Sequence, residues 1–229
     1  MLVVDLATRT IAVWCAGWPV VADDPDRDAR CFEPVVAAVE ALAPGVEVVR
    51  PGLVAVAARG PARYFGGEAA VVERVVDVVA AQAGVQCRVG IADGLFAAAL
   101  AAPRGLLVPP DGSAGFLGPL GIGELGGPAE LVDLLHRLGL RTLGAFAALP
   151  VDDVASRFGP AGVRAHRRAR GLDEEHQGWR IPPSELAEAH EFDPPAERLD
   201  VVAFVAKGLA DRLHGALEGR GLACTQVLV

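Results

Sequence analysis

The chain has 229 residues, enough for one large domain or two to three small ones with a substantial core. At 52% hydrophobic and 22% charged it is neither disordered nor fibrous, and a net charge of −8 excludes a polybasic tail-type nucleic-acid binder. A local basic face is compatible with that balance and has to be sought region by region. Cys15, Cys31, Cys87 and Cys224 stand singly, with no C-x-x-C pair. That pattern gives neither a disulfide framework nor a zinc site, and it implies a reducing, cytoplasmic setting. The apolar run from Thr10 to Ala22 is too short to span a bilayer and is broken at Gly17-Trp18-Pro19, so neither membrane insertion nor secretion is expected.

In chain order, Ile11–Cys15 reads as a short buried strand. Residues 26–42 carry a helical stripe of Phe32, Val35, Val36, Val39 and Leu42; Pro34 within it requires a kink or a start near Glu33. Two strand-like runs, Val46–Val49 and Leu53–Ala57, flank Arg50-Pro51-Gly52. A helix follows over 67–82, with Val72, Val75, Val76 and Val79 on one side. Cys87–Ala92 is a further strand, and Leu95–Ala102 a small apolar helix. The order β, α, β, β, α, β, α fits an α+β, ferredoxin-like split βαβ better than a doubly wound sheet.

Residues 103–128 hold eight Gly and five Pro, which predicts a connector rather than an element. Beyond it Leu131, Leu134, Leu135 and Leu138 have helical spacing, and Leu138–Gly144 turns into a second short helix. A third runs from the Asp152-Asp153 cap towards Arg170-Gly171. Residues 172–196 form a second linker, with a strand expected at Ala189–Phe192. An amphipathic helix over 197–218, with Val202, Val205, Leu209, Leu213 and Leu217 in its stripe, leads to a strand at Leu222–Val229.

Two-metal phosphoryl transfer needs carboxylates converging on ions about 4 Å apart. A ferredoxin-like palm would present them at its first strand end and its central hairpin, yet Val13–Ala16 and Arg50–Leu53 contain no acid. Asp5 is the nearest imitation of a strand-end ligand and has no visible partner. Phe65-Gly66-Gly67-Glu68 imitates a nucleotidyl-cyclase hairpin, but Ala69-Ala70 replace the Glu-Phe that chemistry requires, so it reads as a loop and helix start. The five histidines lack metal-ligand spacing and read as surface or partly buried structural residues. The positive signal is basic. Within 151–171, five arginines oppose two aspartates, and Arg164, Arg167 and Arg168 share a helix side at i, i+3, i+4. With Arg157, and with Arg137 and Arg141-Thr142 at the turn upstream, they form a candidate surface for phosphates.

An ordered set of stretches carries a family resemblance over nearly the whole chain. They are Ala12-Val13-Trp14-Cys15 with Trp18-Pro19; Val46-Glu47-Val48-Val49-Arg50-Pro51-Gly52-Leu53; Arg63-Tyr64-Phe65-Gly66; Val89-Gly90-Ile91-Ala92-Asp93; Leu138-Gly139-Leu140-Arg141-Thr142-Leu143-Gly144; Ala155-Ser156-Arg157-Phe158-Gly159; and Ala169-Arg170-Gly171 with Asp193-Pro194-Pro195. Together they resemble the Y-family translesion DNA polymerases and, within them, the catalytically degenerate ImuB-type branch. The resemblance implies a ferredoxin-like palm without fingers over 1–102, a linker over 103–128 and a helix-hairpin-helix thumb over 129–171. A second linker at 172–196 and the start of a little-finger βαβ module at 197–229 would follow.

The departures shape the function that the resemblance implies. Active relatives carry Asp, an aliphatic residue and Asp where this chain has Trp14, Cys15 and Ala16, and Ser-Ile-Asp-Glu where it has Arg50, Pro51, Gly52 and Leu53. Their Asn-Lys pair and later Lys become Gly94, Leu95 and Ala99. The thumb's Gly-hydrophobic-Gly becomes Gly126-Gly127-Pro128, followed by Glu130 in place of Lys. The family's fingers would lie between Ala22 and Asp23, and its little-finger remainder and clamp-binding tail after Val229. Their absence implies a truncated homologue, an engineered fragment or a chain with residues dropped. The expectation is a non-catalytic scaffold, with no metal and no cofactor, in damage-induced mutagenesis. Its implied partners are an error-prone replicative-type polymerase, a RecA-like accessory protein, the sliding clamp through that tail, and damaged or primed DNA held weakly by Arg137, Arg141, Thr142, Arg157, Arg164, Arg167 and Arg168. Trp14 is expected to be a buried core residue. The alternatives are an active lesion-bypass polymerase and a plain thumb-type DNA-binding module.

Overall fold

The structure, a computed structural model, describes residues 9–18, 25–43, 45–172, 188, 190–192 and 198–219. Asp5 and the strand expected at 222–229 lie outside them. The chain divides into two compact units, Met1–Trp179 and Arg180–Val229.

In the first unit the elements run β1 (Arg9–Cys15), α1 (Pro25–Glu40), β2 (Glu47–Arg50), β3 (Leu53–Ala57), α2 (Arg59–Phe65), α3 (Glu68–Ala83), β4 (Cys87–Asp93) and α4 (Leu95–Ala101). The strands form one sheet in the order β2-β3-β1-β4, each pair antiparallel. This is the split βαβ arrangement expected from the element order.

Alternation along β1 assigns its two faces. Ile11, Val13 and Cys15 enter one core with Phe32, Val35 and Val39 of α1 and Val71, Val75 and Val79 of α3. Ala12 and the partly buried Trp14 join a second core with Leu53, Ala92 and the helices that follow. Small residues on this second face let α4 lie close: a Cβ on Gly90 would collide with the backbone of Ala102.

Three local expectations are corrected. Helix α1 begins at Pro25 and runs through Pro34, so it does not start near Glu33. Helix α2 was not expected; Pro61 sits in its first turn, where a missing N–H costs little, and Gly66 closes it at φ 86°. The segment 103–128 is not a plain connector. It contains α5 (Ser113–Leu117) and 3-10 turns at Ala102–Arg104 and Ile122–Leu125, and it buries Leu117, Ile122 and Leu125. Its Gly and Pro shape tight turns between widely spaced apolar anchors, a pattern that has no helical or strand period.

The anchors pack against α6 (Ala129–Arg137), α7 (Leu143–Ala147) and α8 (Val151–Ala169) through Leu135, Leu143, Phe146 and Val154. Helix α8 is two helical segments rather than one. Gly159 adopts φ 62°, ψ −163°, a region open essentially to glycine, and Pro160 starts the second segment. In the second unit, α9 (Leu199–Glu218) buries Leu217 and half-buries Val205, Leu209 and Leu213, while Val202 is exposed. The strand expected at 189–192 is not formed: His190–Phe192 are irregular, and Ala189 lies outside the described residues.

Candidate functional site

The fold brings together the two stretches expected at the palm cleft. Trp14 stands directly opposite Leu53 in the β1–β3 ladder, and the Cys15 amide donates to the Gly52 carbonyl at 2.9 Å. Strand β3 enters from a turn in which Gly52 has φ 85°. A Cβ there would lie 2.8 Å from the Trp18 Cβ, so Trp18 occupies the space that a side chain at position 52 would need. The Trp18 ring in turn packs edge-on against Phe32, with centroids 4.8 Å apart. Aromatic and apolar groups therefore converge where a palm would gather carboxylates.

Trp14 is not fully buried. It is half-buried at the sheet end, packed on the second core, which corrects the expectation of an enclosed core indole. Ala16 is exposed beyond the strand. Cys15 faces the opposite core, and burial pushes its thiol up to about 11. Its cross-strand partner Cys87 is pushed up to about 12, first by burial and then by the neighbouring Cys15. Both are protonated thiols near neutrality, poorly suited as metal ligands or nucleophiles. Gly94, Leu95 and Ala99 form the start and one side of α4, with no cation among them. Among the described residues no group of three His, Cys, Asp or Glu comes together in a way that could hold a metal ion.

One charged cluster was missed in the sequence. Arg9 of β1 reaches Glu68 through Nε and Nη2, both at 2.7 Å, and Asp93 through Nη1 at 3.2 Å, and it donates to the Val108 carbonyl at 2.6 Å. The hydrogen bonds that Arg9 donates to Glu68 hold the guanidinium charged, against the opposing effect of burial. Asp93 also accepts from the Asp111 amide at 2.6 Å, and its backbone exchanges hydrogen bonds with the Ser113 hydroxyl. The node pins β1, α3, β4 and the loop into α5 to one another. Glu68 is the acid of the cyclase-like Gly-Gly-Glu stretch; it opens α3 and serves this node. No local signal marks a pairing across 59 residues.

The arginines expected in a thumb are placed unevenly. Arg137 ends α6 and Arg141 precedes α7; both are exposed and free of ion pairs among the described residues. Thr142 is the N-cap of α7, its hydroxyl accepting from the Ala145 amide at 3.1 Å, so it has a structural task. Arg157 lies before the Gly159 break, lining a shallow pocket with Leu138, Leu149, Asp153 and Phe158. Arg164, Arg167 and Arg168 lie after it, opposite the buried positions Gly162, Ala165, His166 and Ala169. Arg164 and Arg168 are exposed and Arg167 is half-buried. The i, i+3, i+4 trio therefore stands on one segment, whereas Arg157 belongs to another. His166, expected at the surface or partly buried, is 1% exposed against the Phe146 ring.

Comparison with known proteins gives this geometry its family. No protein-family model matches the chain. It is 36% identical to DNA polymerase IV of Methanoculleus marisnigri over 159 residues, 65% of this chain and 43% of that protein. It is 34% identical to Protein ImuB of Caulobacter vibrioides over 169 residues, 71% of this chain and 36% of the relative. The crystal structure of a DinB family error-prone DNA polymerase from Sulfolobus solfataricus superposes with a TM-score of 0.57 at 14% identity, over 74% of this chain and 68% of that one. That last likeness concerns the fold. The chain is a homologue of the Y-family DNA polymerases. Its relatives within that family include both the DNA polymerase IV and the ImuB kinds, and it spans less than half the length of the two relatives named here.

Proposed function

We propose that the chain is a non-catalytic, ImuB-type Y-family scaffold for error-prone translesion synthesis. In this reading it bridges an error-prone replicative-type polymerase, a RecA-like accessory protein and the sliding clamp at damaged DNA in the cytoplasm. The observation that carries it is the meeting of Trp14, Gly52 and Leu53 at one sheet end. Two-metal nucleotidyl transfer needs carboxylates there to hold cations against the triphosphate and the primer hydroxyl. An indole, a bare backbone and an isobutyl group supply none. Trp18 over Gly52 closes the position further. The palm then persists as a folded platform, and the exposed Arg137, Arg141, Arg157, Arg164 and Arg168 hold DNA through phosphates, weakly and without reading bases.

The second reading, an active lesion-bypass polymerase, is favoured by the 36% identity to a protein named DNA polymerase IV. Single-turnover primer extension with Mg²⁺ or Mn²⁺ separates the two. The scaffold reading expects no template-dependent incorporation; incorporation abolished by Asp5→Ala would establish the enzyme instead.

A further inference from the structure

The same sheet end carries a cross-strand row that the loss of carboxylates does not by itself explain. In register across the strand order β2-β3-β1-β4 stand Arg50, Leu53, Trp14 and Arg88. Residues directly opposite one another share a face, so two guanidinium groups flank an indole and a leucine. Trp14 is half-buried, and Arg50 and Arg88 are exposed. A backbone carbonyl orients each arginine: Arg88 Nη1 donates to Pro103 at 2.8 Å, and Arg50 Nη1 to Pro51 at 3.4 Å. Neither makes an ion pair among the described residues. The next row on the same face is Glu47, Ala55, Ala12 and Gly90, so one carboxylate stands behind two cations. The Oε2 of Glu47 is buried without a hydrogen-bond partner among the described residues.

We propose that this row is a metal-independent contact for single-stranded DNA, with one unstacked base on the Trp14 indole and backbone phosphates on Arg50 and Arg88. Neighbouring strands lie roughly 4.8 Å apart, so the two arginines are about 14 Å apart at their backbones. They therefore address different phosphates of one strand with the aromatic ring between them. An aromatic platform between cations is the arrangement that holds single strands without sequence preference, because every base has a π face and every step a phosphate. Duplex DNA cannot offer a free base face to Trp14, so the row selects single strands. The inference rests on the reading of the cleft as non-catalytic, since bound metal ions would repel both guanidinium groups.

The test is binding of a fluorescently labelled twelve-residue oligothymidine to the full 229-residue chain in EDTA, read by anisotropy. Arg50→Ala with Arg88→Ala changes only exposed side chains, and a thermal melt verifies the fold. Affinity should fall five-fold to a hundred-fold, and Trp14→Leu alone should lower it on the same scale. Photocrosslinking with 5-iododeoxyuridine in the oligonucleotide should label the peptide containing Trp14. Unchanged affinity in the double variant, or crosslinks confined to residues 137–168, overturns the site while leaving the scaffold reading intact. Primer extension in the metal assay overturns the scaffold reading whatever the EDTA result.

Discussion

The two faces of the four-stranded sheet are built from the same strands and answer to different demands. On the face covered by α1 and α3, every inward position is apolar and almost every one is sealed: Ile11, Val13, Phe32, Val35, Val39 and Val79 are at most 1% exposed. On the other face the central inward residues are small, Ala12, Ala55 and Ala92, and the end of the sheet beside the buried Leu53 is left partly open at Trp14. The first face carries the fold's stability through close-packed volume. On the scaffold reading, the exchange of carboxylates for Trp14 and Leu53 falls on the open face, and only Gly52, through Trp18, touches the main core.

The sharpest way to break this comparison is to damage the sealed face. Phe32→Ala removes a fully buried ring that also packs edge-on with Trp18, and it should cost about 3–5 kcal/mol in chemical denaturation. A loss below 1 kcal/mol would mean that the stability lies elsewhere. Restoring an acid on the open face tests the other half. Gly52→Asp forces a non-glycine residue to φ 85° and drives its Cβ into Trp18, for a loss of roughly 2–4 kcal/mol. Trp14→Asp, at a half-buried site, should cost less, about 1–3 kcal/mol. Mg²⁺ should rescue neither variant. A mutant restabilised by Mg²⁺ would reveal a latent metal site.

A smaller effect is expected at the arginines of α8. Replacing Arg164, Arg167 and Arg168 together by Ala should weaken DNA binding equally on unrelated sequences and flatten its dependence on salt. Arg157→Ala should act independently, because the Gly159 break separates it from the trio. Unchanged affinity on varied salt would reduce the face to solvated surface.

The contrast between faces also explains what the sequence disclosed. The β1, β3, α3 and β4 runs are legible because a half-buried element must alternate or repeat with its own period, and their order alone gives the sheet topology. The family resemblance put Trp14, Gly52 and Leu53 at the palm positions, and in the register Trp14 stands opposite Leu53. Helix α2 and the packed segment after Pro103 were hidden for one reason: Gly and Pro mark turns whether or not the residues between them are buried. Arg9 with Glu68 and Asp93 was hidden for another, since nothing local couples residues 59 and 84 positions apart. Trp14 was misjudged in degree. A strand's alternation gives the face of a residue, but exposure at the strand's end depends on which helix covers it.

His166 supplies the finest test, because it sets a titratable group inside the second core. Its imidazole is 1% exposed, edge-on to Phe146 at 5.4 Å. Burial lowers its pKa; the nearby carbonyls of Leu149 and Ala147 oppose that without making hydrogen bonds of good geometry, and Arg170 adds a small further lowering. The folded protein therefore resists a proton that the unfolded chain accepts at about pH 6.5. Stability from this group is complete above that value, falls as the pH drops through it towards the folded-state pKa, and levels off below. Denaturation of wild type and His166→Leu at about pH 8 and about pH 5.5 isolates the effect, since the variant lacks the titration and keeps an apolar side chain in the site. Wild type should lose more stability than the variant over that interval. Parallel losses would mean that the imidazole takes up its proton as readily in the folded chain as in the unfolded one, and that the core around Phe146 admits water.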